Sequence, residues 1–181
     1  MQWRNDTTRY GLAAVLMHWL VALTVFGLFG LGLWMTGLTY YDQWYRLGPW
    51  WHKSIGVSLF LLVLVRLGWR ALNPQPVPLP THVGWERRLS KATHELLYLL
   101  LFAIMISGYL ISTADGRALE VFGWFALPAT LHGIEHQEDI AGTIHLTLAI
   151  TLMALASLHA LAALKHHFLD RDRTLLRMLG R

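Results

Sequence analysis

Four apolar runs, at about residues 12–36, 52–72, 90–111 and 141–164, dominate the sequence. Each is long enough to cross ~30 Å of hydrocarbon as a helix, and a helix satisfies its own backbone hydrogen bonds where lipid offers none. No alternating strand pattern competes with them. The 181 residues are 55% hydrophobic and only 14% charged, too apolar for a typical water-soluble globule. The expected fold is therefore a single all-α domain, 1–181, a transmembrane four-helix bundle whose main partner is membrane lipid. The first run lacks a small-residue cleavage site and is followed by more spans, so it reads as a retained helix and the mature chain as beginning near Met1.

The charges give an orientation. Arg4 and Arg9 precede the first run; Arg66, Arg70, Arg87, Arg88 and Lys91 flank the connection between the second and third; Lys165, Arg171, Arg173, Arg177 and Arg181 form the tail. The other two connections carry only Arg46, Lys53 and Arg117. The positive-inside rule then puts the N and C termini in the cytoplasm and the loops at 37–51 and 112–140 outside. Topology accounts for the net charge of +4, and no nucleic-acid partner is implied. Trp19, Trp34 and Tyr40 read as interfacial anchors, and Asp6 or Thr7 as a cap for the first helix. Asn73–Pro80, NPQPVPLP, reads as a stiff extended connector, and VFGWFALP in the last loop as an apolar hook against the membrane.

The fourth run carries His145 and His159, 14 positions apart. At ~100° per residue they return to within about 40° of one another, roughly 21 Å apart along a helix. Gly142, Ala149, Ala156, Ala160 and Ala163 lie on or beside that face, low enough for a broad, flat group to approach the backbone. A haem at each level fits that shape. His18 falls in the inner half of the first span, and His52 opens the second span at the outer side with Gly56 one turn deeper. Two nitrogens on one iron lie about 4 Å apart, from ~2 Å per bond, so only histidines at equal depth can share a metal. That pairs His18 with His159 for an inner haem and His52 with His145 for an outer one. A lone intramembrane histidine is as readily a hydrogen-bonded core residue as a ligand; four that match in two pairs favour ligation. Lys53, able to pair a haem propionate, and Arg66 are additional haem-binding candidates, although topology also accounts for both.

Without cysteine, iron–sulfur clusters and covalently attached haem are excluded. With both axial positions filled, iron can only change charge by one electron, which argues for electron transfer and against oxygen activation. A quinone such as ubiquinone is the natural partner inside a bilayer, and His94, His166 and His167 are candidates for its site or its protons. His132, Glu135 and His136 match the H-x-x-E-H pattern of zinc proteases. The match is set aside, because the next span begins within a few residues and leaves no soluble cleft for a third ligand.

LMHWL around His18, WHKSIG at His52, LxHAxxALKHHF at His159 and the closing DxTLxRM resemble the bacterial di-haem cytochrome b561 family over nearly the whole chain. The resemblance implies a multi-pass four-helix bundle in the bacterial inner membrane, two non-covalent haems b, and the same four histidines as their ligands. Members of that family pass electrons between quinone and a second donor or acceptor, and one branch is a superoxide oxidase. Here the outward loops carry Asp42, Asp115, Glu120, Glu135, Glu138 and Asp139 against three basic residues, which suits an anion poorly. ISTADGR and VFGWFALPATL look closest to a branch whose expected partner is a small periplasmic redox or isoprenoid-binding protein, and a homodimer is a further expectation. Two readings compete with the quinone-linked carrier: a proton-coupled transporter with a histidine relay, and a haem-bearing anchor subunit for a soluble oxidoreductase. A reducible haem spectrum separates the transporter from the others.

Overall fold

A computed structural model describes residues 2–180; Met1 and Arg181, counted above at the chain start and in the basic tail, lie outside the described residues. The apolar runs form α1 (Leu12–Met35), α2 (Leu47–Leu72), α3 (Gly84–Ser112) and α4 (Gln137–Phe168), four helices long and apolar enough to cross a membrane. A short hairpin, β1 (Leu119–Val121) and β2 (Phe125–Leu127), precedes α4, and α5 (Thr174–Met178) closes the chain. α2 begins five residues before His52, with Pro49 in its first turn, where the missing N–H costs nothing. His52 is thereby held inside a helix and not at its frayed end.

Asp6 does not cap α1. Its carboxylate accepts the amides of Thr8 (2.7 Å) and Arg9 (2.9 Å) and closes a turn upstream, while the helical amide of Leu12 donates to the Gln2 carbonyl (2.9 Å).

The described residues fall into two compact units, one of 2–22, 62–99 and 152–180, the other of 23–61 and 100–151. In the first, the N-terminal segment, the proline connector and α5 are tied together. Asn5 donates to the Pro74 carbonyl (3.1 Å) and accepts the Gly11 amide (2.9 Å); the Val77 amide donates to Thr7 O (2.9 Å); Arg177 donates to Val77 O (2.8 Å). The prolines leave alternate residues such as Val77 to make these bonds. Gly11 is required here, since a Cβ would stand 2.4 Å from the Trp3 carbonyl oxygen. Trp19, read from the sequence as an interfacial anchor, has a structural contact: its Nε1 donates to Met178 O at 2.7 Å and fastens α5 to α1.

In the second unit, the segment read as an apolar hook is instead the antiparallel hairpin, with Leu119 opposite Leu127 and Val121 opposite Phe125. Its turn places Phe122 (φ 50°) and Gly123 (φ 71°) in the left-handed region. The Phe122 amide donates to the fully buried Ser54 hydroxyl of α2 at 3.0 Å, and the Phe122 ring lies edge-on to Trp50 and Trp51. Two strands of three residues are too short to leave an alternating signature, which is why the sequence does not announce them.

Candidate functional site

His52 of α2 and His145 of α4 face one another in the 23–61/100–151 unit, ring centroids 6.2 Å apart and planes at 67°. The Nδ1 of His145 lies 3.0 Å from the Ile104 carbonyl and 3.1 Å from the Ser107 hydroxyl. A carbonyl only accepts, so Nδ1 carries the proton and Nε2 keeps its lone pair. Glycines make the rings fit: a Cβ on Gly108 would stand 3.1 Å from His145 Cε1, and one on Gly32 would stand 3.3 Å from His52 Cε1. His52 Nδ1 is buried and has no hydrogen-bond partner among the described residues. A Cβ on Gly56 or Gly142 would meet nothing within 4 Å, so both glycines border open space. Lys53 is exposed and makes no ion pair among the described residues.

In the other unit, His18 of α1 and His159 of α4 are 6.4 Å apart between centroids, again at 67°. His94 of α3 adds a third imidazole, 5.3 Å from His159. The Nη2 of Arg66 donates to His18 Nδ1 at 3.0 Å, and its Cζ lies 5.4 Å from the Tyr98 ring centroid. No carboxylate lies within ion-pair distance of Arg66 among the described residues. A cleft of about 270 Å³ is lined by Leu67, Arg70, His94, Glu95 and Tyr98, and the Tyr98 hydroxyl is buried without a partner.

His166 and His167, expected near a quinone, are used differently from one another. His166 Nδ1 lies 2.8 Å from Asp170 Oδ2 and 3.1 Å from Asp172 Oδ2, and its ring tilts against His82, 4.6 Å between centroids. His167 packs edge-on to Phe168, its Nδ1 buried and unpartnered. Burial opposes ionisation of Asp172, but the Thr174 hydroxyl and amide, helped by His166 and His82, outweigh it and hold the carboxyl below its ordinary range. The H-x-x-E-H histidines stay separate: His136 meets Glu135 (3.4 Å) and Asp139 (3.9 Å), whereas His132 lies against Gly116. Neither belongs to a three-ligand group among the described residues.

Sequence reasoning missed His82, Tyr98, Gly32 and the Ser107–Gly108 pair. Ser107–Gly108 was findable, because a small polar pair inside an apolar span marks a close approach. His82 lies in a polar loop without periodicity and left no such mark.

Four membrane-length helices, no cysteine and half-buried imidazoles facing one another in pairs define a class, that of membrane proteins equipped to hold a prosthetic group through histidine alone. The sequence matches the prokaryotic cytochrome b561 family model over residues 9–181. It is 51% identical to Escherichia coli K12 cytochrome b561 homolog 2 over 181 residues, 100% of this chain and 96% of that protein. A probable superoxide oxidase, CybB, from Yersinia pestis is 31% identical over 94% of this chain and 96% of its own length. Cytochrome b561 homolog 1 of E. coli K12 is 28% identical over 72% of this chain and 73% of its own. The chain belongs to the prokaryotic cytochrome b561 family. It is accordingly a multi-pass bacterial inner-membrane cytochrome that transfers electrons with b-type haem.

The residues present fit such a group. A metal between two imidazoles puts ring centroids about 6 Å apart, from ~2 Å per bond and about 1 Å from each nitrogen to its ring centre. The two spacings of 6.2 and 6.4 Å meet that requirement, and the 5.3 Å between His94 and His159 does not. Edge-to-face contact by itself spans ~4.5–7 Å, so the weight falls on chemistry: the backbone-held Nδ1–H of His145, the unpartnered Nδ1 of His52 and the glycines behind both rings.

Proposed function

We propose that the protein carries electrons through two bis-histidine haems b, one held by His52 and His145 and the other by His18 and His159, and exchanges them with a membrane quinone at the cleft beside His94. The carrying observation is that each compact unit brings together one histidine pair of matched geometry. Bis-imidazole haem supplies a one-electron change at iron with no vacant coordination position. The chain does the rest. Ile104 O orients His145 and raises the basicity of its Nε2, as outer partners of a metal-bound imidazole do. Ligation through His18 Nε2 requires a proton on Nδ1, so Arg66, an obligate donor, has to release that nitrogen. A guanidinium without a carboxylate partner is suited to take a haem propionate instead. Exposed Lys53 is the corresponding candidate in the other unit.

Reducing a quinone to quinol takes two electrons and two protons. The His94 ring and the unpartnered Tyr98 hydroxyl supply donors for its oxygens at the 270 Å³ cleft, with Glu95 and Arg70 also on its wall. By the positive-inside rule this end and both termini face the cytoplasm. Superoxide oxidation is favoured by the 31% identity to a probable superoxide oxidase and opposed by the acidic outward loops. A periplasmic partner protein would meet the loops at 37–51 and 112–140.

Haem content and redox titration test the reading. Purified protein should hold two haems per chain; His145→Ala and His159→Ala should each lose a different one, and added imidazole should restore it. One haem in the unaltered protein, or two retained in either variant, overturns the pairing. Quinol added to the loaded protein should reduce both haems.

A further inference from the structure

Outside both histidine pairs, His82, His166 and Asp172 converge on a single point. His82 Nε2 stands 3.2 Å and His166 Nδ1 3.1 Å from the same carboxylate oxygen, Asp172 Oδ2, and the three atoms lie within 4.8 Å of one another. The three side chains are 18%, 15% and 3% exposed, so the cluster is sheltered from water. None of these residues is used by electron transfer through the paired histidines.

We propose that His82, His166 and Asp172 bind a divalent transition-metal cation of the zinc type, which ties the segment before α3 to the end of α4. Tetrahedral ligands at ~2.0–2.2 Å from a metal are about 3.3 Å from one another, within a few tenths of an ångström of the two separations given. Two imidazoles and a carboxylate are a donor set that zinc takes, leaving a fourth position for water or for the Thr174 hydroxyl, whose oxygen is 3.0 Å from His82 Nε2.

Charge points the same way. Three carboxylates, of Glu86, Asp170 and Asp172, surround the two imidazoles, against one ion-paired cation, Lys165, 3.2 Å from Glu86 and 2.7 Å from Asp170. Arg87 adds a second cation, its Nε donating to the His82 backbone carbonyl at 3.0 Å. The three carboxylates still exceed the two cations by one negative charge, which a bound cation offsets. Without metal the same atoms form a hydrogen-bonded array, with Thr81 Oγ1 also 3.4 Å from Asp172 Oδ2.

The test uses the haem-loaded, full-length protein in detergent, its affinity tag removed and its adventitious metal stripped with chelator. Zinc sulfate is added, free ion is removed by gel filtration, and retained zinc is counted per haem by mass spectrometry. One zinc per chain is expected. His82→Ala and His166→Ala should each weaken binding at least about tenfold against a competing chromophoric chelator. The double variant His132→Ala/His136→Ala, which removes exposed loop histidines, should bind as the unaltered protein does. An intact haem spectrum reports folding; if His166→Ala fails that control, His82→Gln decides. Absence of stoichiometric zinc, or zinc retained with full affinity by both cluster variants, overturns the proposal.

Discussion

The two histidine pairs are alike in spacing and differ in what holds them. At His145 a neutral backbone carbonyl, Ile104 O, accepts Nδ1–H, Ser107 closes the same corner, and glycines press on the rings. Around His18 the neighbours are charged and titratable: Arg66 on Nδ1, His94 beside His159, Tyr98 under the guanidinium, and a cleft with polar walls. A carbonyl lock defines one tautomer, whereas a guanidinium lock can be exchanged for another anion or acceptor. The first arrangement suits a centre that only passes electrons onward. The second suits a centre that meets a proton-consuming partner.

That contrast is best broken at Gly108. In Gly108→Val, branched carbons displace the His145 imidazole from Ile104 O, so the haem proposed for His52 and His145 should be lost while the one proposed for His18 and His159 stays; equal loss of both, read by haem content, would erase the distinction. Arg66→Met comes next. Removing a positive charge beside a haem iron favours the ferric state, so the midpoint potential of the haem proposed for His18 and His159 should fall by something on the order of tens of millivolts, with the other unmoved. Redox titration followed spectroscopically reads both at once. Paired changes at the cleft, His94→Gln with Tyr98→Phe, should slow haem reduction by quinol about tenfold without altering haem content. The smallest effect belongs to Ser107→Ala, because Ile104 O remains as the acceptor. It should cost about 1 kcal/mol or less in thermal or denaturant unfolding and leave both spectra intact.

Much of the architecture is legible in residue order. Four membrane-length helices follow from apolar runs that exceed the hydrocarbon thickness, and α4 carries His145 and His159 at a spacing that returns them to one face. What stayed illegible depends on contacts between distant segments. His82 reaches His166 from the end of a proline connector that is bound along the N-terminal segment, a fact spread over Asn5, Thr7, Pro74 and Val77. The hairpin likewise depends on Ser54, whose buried hydroxyl accepts an amide 68 positions away.

Hydropathy and helical periodicity are properties of neighbouring residues, so the sequence by itself determined a cysteine-free membrane helix protein with candidate ligands on three spans. Which nitrogen of His145 carries a proton, that Arg66 rests on His18, and that His94 lines a cleft were decided only by tertiary structure. Hydrogen bonds act over about 3 Å through space and at fixed angles, and no pattern along the chain encodes where a side chain from another helix will stand.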